Sequence, residues 1–98
     1  MTKHTLYIGL HDQKTKRQEI TTLDAYKITA NIFRSTTGGA TITEAVGVYT
    51  HDNGEIVIEP SLRCEIFGAD PESVYAAISQ IKTALNQEKI VLEETEVN

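Results

Sequence analysis

One chemically loaded dipeptide occurs twice in this sequence, at His11-Asp12 and again at His51-Asp52. An imidazole beside a carboxylate can ligate a divalent metal, and two such pairs brought together would offer four donors. The same side chains could instead serve a small ligand-binding site or a small enzyme. Neither histidine has a ligand spacing such as HxH or HExxH. The competing reading is that each Asp shapes a turn and each His is a solvated strand end.

The remaining reactive groups are sparse. Cys64 is the sole cysteine, so no internal disulfide forms, and no CxxC pair is present. It shares parity with the aliphatic residues of the run around it, which is the position of a buried small hydrophobe and not of an exposed thiolate. Gly38-Gly39 could approach an anion at a helix N-terminus, but Asp70 and Glu72 bring negative charge to the helix start nearby, so the doublet reads as a helix stop. No phosphate-loop, dinucleotide-binding or nucleophile-elbow motif occurs.

The elements that must position these groups follow from periodicity. Thr5 to Leu10 alternates, with Leu6, Ile8 and Leu10 on one side, which is strand period. His11 to Glu19 is a polar loop holding Lys14, Lys16 and Arg17. Thr21 then caps a helix, with Asp24 in its first turn, that runs to about Thr36. Ala40 to His51 is rich in Thr, Ile and Val and reads as a second strand. Asp52-Asn53-Gly54 is a hairpin turn, because Asn and Gly tolerate positive φ. Glu55 to Phe67 is the third strand, with Ile56, Ile58, Leu62, Cys64 and Ile66 on one face and a bulge or bend expected at Pro60. Asp70-Pro71-Glu72 opens a second helix, ending near Asn86, with a stripe through Val74, Ala77, Ile78, Ile81 and Leu85. Lys89 to Val97 is a fourth strand, with Ile90 and Leu92 inward.

The order β-α-β-β-α-β is the split pattern of the ferredoxin-like α+β fold. Right-handed crossovers then give one antiparallel sheet, ordered 4-1-3-2, with both helices on one face of a single domain spanning 1–98. In that topology the two His-Asp pairs lie at one end of the sheet, with one strand between them and a starting separation of ~10 Å.

The topology leaves one sheet face uncovered. Tyr7, Tyr49, Glu59, Arg63 and Glu65 point outward there, a composition that suits either a wet surface or an interface core. The first helix carries a wide apolar arc: Leu23, Tyr26, Ala30 and Phe33 on one side, and Ala25, Ile28 and Ile32 roughly opposite. The second helix or a partner chain could cover the excess.

Several segments together carry a resemblance. They are Thr5-Leu6-Tyr7-Ile8-Gly9-Leu10, Ala45-Val46-Gly47-Val48-Tyr49, the turn His51-Asp52-Asn53-Gly54-Glu55, and Ile58-Glu59-Pro60-Ser61-Leu62-Arg63. Over residues 5–97 the chain resembles a family of short proteins of unknown function from Gram-positive gut bacteria, their phages and conjugative elements. The resemblance implies a mobile-element accessory protein and supplies no catalytic residues.

Composition narrows the function classes. The 98 residues carry nine Lys+Arg against fourteen Asp+Glu, a formal net charge of −5. That field repels phosphate, so nucleic acid is not an expected partner. No stretch approaches the ~20 apolar residues of a membrane span, and no signal peptide is evident, so a cytoplasmic location is expected. The sequence reading is a non-enzymatic binding or oligomerising module without a cofactor. Its expected partners are a second copy of itself, as a homodimer, or a host protein. The alternative is a metal- or ligand-binding protein or enzyme built on His11, Asp12, His51 and Asp52.

Overall fold

The structure, a computed structural model, describes residues 1–98. Strands β1 (Thr2–Gly9), β2 (Thr41–Thr50), β3 (Ile56–Phe67) and β4 (Val91–Glu96) alternate with helices α1 (Thr22–Thr36) and α2 (Pro71–Ala84) in the order β1-α1-β2-β3-α2-β4. The sheet order is β2-β3-β1-β4, antiparallel throughout, as the sequence pattern requires.

Local chemistry sets the helix ends. The Thr21 hydroxyl accepts from the Asp24 N–H, and the Asp70 carboxylate accepts from the Ser73 N–H, each satisfying an otherwise free first-turn amide. Gly38, at φ 87°, closes α1 by donating its N–H to the Phe33 carbonyl, a conformation that side-chain-bearing residues rarely adopt. Between β2 and β3 the His51 N–H meets the Glu55 carbonyl at 2.8 Å, and Gly54 takes the positive φ of the turn.

The core lies between the sheet and the helices. Leu6 and Ile8 of β1 and Leu62, Cys64 and Ile66 of β3 face Ala25 and Phe33 of α1 and Val74, Ala77 and Ile81 of α2. Burial pushes the Cys64 thiol up to about 12, so the sulfur is neutral and unreactive at ordinary pH.

Three expectations need correction. β1 begins at Thr2, three residues earlier than alternation implied, because the polar His4 occupies a core-facing position opposite Ile66. His4 is buried, its Nε2 3.4 Å from Glu94 and its Nδ1 without a partner.

Pro60 makes no bulge: β2 and β3 pair without a break from Thr41 opposite Glu65 to Thr50 opposite Ile56. The Pro60 carbonyl accepts from the Leu10 N–H at 3.0 Å, so its nitrogen faces the same edge, where β1 has already ended at Gly9 and no ladder bond is lost.

Ala25, Ile28 and Ile32 of α1 do not form an outer surface. Ala25 is fully buried in the core, and Ile28 and Ile32 pack against it, on the same stripe as Thr29 and Phe33. The neighbouring α2 takes up part of the wide arc, and the side left outside is that of Leu23 and Tyr26.

Candidate functional site

At the end of β1 the chain turns away from the sheet while β3 continues, which opens a notch. Its walls are the loop after β1 (His11, Asp12, Gln13, Lys16), the β2–β3 hairpin (Tyr49, His51, Glu55 to Glu59) and the turn after α2 (Gln87, Glu88, Lys89). Its volume is about 590 Å³, within the range of small-molecule sites.

Glu59 is a carboxylate of the notch held from the sheet side. Its carboxylate accepts the His11 backbone N–H at 2.8 Å. It crosses directly over Gly9, where an added Cβ would sit 2.6 Å from a carboxylate oxygen. Gly9 is therefore bare because the carboxylate needs the space, and the sequence signal was present in a glycine standing inside an alternating strand.

The loop wall is tied to the turn after α2 by side chains the sequence reading did not single out. Asn86 donates from Nδ2 to Asp12 Oδ2 at 2.7 Å, Gln13 donates to Asn86 Oδ1 at 2.6 Å, and Gln87 donates to the His11 carbonyl at 2.8 Å. Asp12 also accepts the N–H groups of Lys14 and Thr15, shaping the turn. The hydrogen bond from Asn86, followed by those from Lys14 and Thr15, holds the Asp12 carboxyl below its ordinary value, so it is a structural anion. Asn86 stands at φ 49°, a helix-exit conformation that Asn tolerates and that its place near the α2 end could have signalled.

The structure thus brings His11, Asp12 and His51 to one cavity, as the topology implied, with Asp52 outside its lining. It does not assemble them as a metal centre: no three His, Cys, Asp or Glu side chains are placed to hold an ion. Asp12 is engaged by Asn86, and the His51 ring stands edge-on to Tyr49 at 5.5 Å.

The residues expected on the open sheet face do point outward, but they form two separate groups. Tyr7 lies opposite Arg63, whose guanidinium carbon is 6.0 Å from the ring centre. Arg63 and Lys3 both reach Glu65, at 3.1 and 3.3 Å, an ion network on the outward face in which Glu65 and Lys3 are largely covered. Tyr49 lies opposite Val57, six residues further along β3 and so about 20 Å away, and belongs with Glu59 to the notch.

The whole chain has the shape of a phage S-adenosylmethionine lyase. In the apo state that protein matches with a TM-score of 0.70 and 25% identity, over 96% of this chain and 78% of the other. In its complex with S-methyl-5′-thioadenosine it matches with a TM-score of 0.66 and 24% identity, over 97% of this chain and 80% of the other. No protein-family model and no curated protein matches the chain. No helix is long and apolar enough to cross a membrane.

Proposed function

We propose that this chain binds S-adenosylmethionine in the notch beside Gly9 and Glu59 and cleaves it as a lyase, releasing S-methyl-5′-thioadenosine. The observation that carries this reading is the charge pattern of the notch. Asp12, Glu55, Glu59 and Glu88 line it, together with Lys16 and Lys89. S-adenosylmethionine carries a sulfonium, an ammonium and a carboxylate, so a lining of four carboxylates and two ammonium groups complements it. Tyr49 and His51 supply ring surface for an adenine. The shape shared with the phage lyase supports the same reading, and the phage origin of that protein supports a place on a mobile element.

In such a reaction the bond from sulfur to the aminobutyryl carbon breaks and its electron pair returns to sulfur, leaving a neutral thioether. An oxygen of the substrate's own carboxylate bonds to that carbon and closes a lactone, so that no water enters and no proton need be removed. The positive charge fades as the transition state forms. A carboxylate held near sulfur therefore stabilises bound substrate at least as much as the transition state. Glu59 is assigned to binding, and its loss should act on KM more than on kcat. The experiment is incubation of the purified chain with S-adenosylmethionine, read by liquid chromatography for the thioether nucleoside. Its appearance, with a raised KM in Glu59→Gln, is the expected result. No turnover together with no binding of either nucleoside would overturn the proposal.

A further inference from the structure

The β2–β3 ribbon outruns the rest of the sheet. β1 stops at Gly9, opposite Ser61, whereas β2 and β3 stay paired as far as Thr50 and Ile56. Register places Val46, Val48, Ile56 and Ile58 on the face that carries Leu62, Cys64 and Ile66 further along. Those inner residues are buried under the helices, yet the four outer aliphatics are 65–68% exposed. A two-stranded ribbon with an uncovered apolar face is marginal in water.

The molecule as a whole carries surplus surface. Its accessible area is 6152 Å² and its longest dimension 42 Å against a shortest of 19 Å. A folded monomer of 10.9 kDa should expose about 5,600 Å². The surplus is roughly 550 Å² per chain. Doubled over two chains it comes to about 1,100 Å², the scale at which a specific protein interface becomes stable.

Charge indicates what covers it. Two copies of a chain with net charge −5 repel each other except where charge is sparse. From Ser35 to Thr50, Glu44 is the sole charged side chain, and β2 within that run is an open sheet edge without lysine or proline. A long edge with so little charge is normally protected, and protection by another copy uses a region where copies repel little.

We infer that the projecting β2–β3 ribbon is a self-association surface, with Val46, Val48, Ile56 and Ile58 packed against a second copy of this chain. This replaces the open sheet face and α1 as the surface for the expected homo-oligomer. Ile56 and Ile58 also belong to the wall of the notch, so the association is tested without ligand, and Val48, outside that wall, carries the deciding variant.

Sedimentation velocity at micromolar concentration tests it. The wild type should sediment at two or more chain masses. Val48→Glu and Ile58→Glu should each sediment as a monomer with unchanged circular dichroism, since neither side chain supports the core of its own chain. Amide exchange on the wild type gives a second reading that needs no variant: protection of residues 43–50 should rise with protein concentration. A wild-type monomer at high micromolar concentration, or a ribbon whose exchange ignores concentration, overturns the inference. So do glutamate variants that fold and keep the wild-type mass, which would place the contact elsewhere.

Discussion

Gly9→Ala separates the notch from the fold more sharply than any other single change. The backbone at Gly9 has no positive φ, so alanine is conformationally allowed, and the conflict is purely with the Glu59 carboxylate, 2.6–2.7 Å from the new carbon. Something must move, and the mobile party is the end of the Glu59 side chain, not β1, which is paired with β3 at Gly9 itself and with both neighbours from Tyr7 back. Swinging away, Glu59 gives up its hydrogen bond to the His11 N–H. A charged hydrogen bond of this kind contributes about 1.5–3 kcal/mol, taken at the low end because the pair is only partly buried. Replacing glycine returns about 0.4–1 kcal/mol by restricting the unfolded chain. The net cost is about 1 kcal/mol, or a fall in Tm of roughly 4–8 °C for a domain of this size. Calorimetric titration with S-methyl-5′-thioadenosine should show weakened binding alongside that modest loss of stability. In the double variant with Glu59→Ala, which removes the group the new carbon meets, the Gly9 substitution should cost less than it does alone. Full additivity in that cycle, or unchanged ligand affinity in Gly9→Ala, would refute the claim that Gly9 exists to seat Glu59.

Other measurements reach other parts of the molecule. Cys64 should label slowly with thiol reagents in the native state and fast after denaturation, and Cys64→Ser should destabilise by about 1–3 kcal/mol because a buried hydroxyl replaces an apolar sulfur. Asp12 has its folded pKa below its ordinary value of 3.8, so the stability it contributes is present above that value and is lost as pH falls through the folded one. Asp12→Asn should therefore flatten the acid limb of the Tm against pH curve below about 4, while a limb parallel to wild type would deny that linkage. Chelator should leave Tm unchanged, and a stoichiometric metal lost in His51→Ala would restore the metal reading of the His-Asp loops. Tyr7→Glu, on the sheet face with Arg63, should leave the sedimentation mass as it is in the wild type.

The fold was legible because each element carries local signals that agree with the pattern of the whole. Thr21 and Asp70 cap the helices they were expected to cap, Asn53-Gly54 makes the hairpin, and alternation in β3 marks the buried face correctly. The errors have physical causes. His4 is polar yet buried, so composition hid the start of β1. The stripe Ala25, Ile28 and Ile32 looked spare because period alone cannot say which of two apolar arcs the sheet will take. The notch was half visible. The topology brought His11 and His51 to one end, but Glu59 was read as a sheet-face residue because parity gives a direction and not a destination. Its carboxylate crosses from the sheet face to a loop amide, a contact made possible by a missing Cβ two positions before the His-Asp pair. Asn86 and Gln87 were not legible, since nothing in a helix exit says which loop it will meet. The exposure of Val46, Val48, Ile56 and Ile58 was also hidden, because their alternation is indistinguishable from that of the core residues that follow them in β3.

Chemical-shift mapping reports most directly on whether the notch is the ligand site. With uniformly labelled protein and added S-methyl-5′-thioadenosine, the amides of residues 9–16, 49–59 and 87–89 should shift together and saturably, with His11 among the largest because its N–H is bonded to Glu59. Those segments are far apart in sequence and meet only at the notch. Saturable shifts confined to the Tyr7–Arg63 surface or to the helices, or none at all, would contradict the assignment.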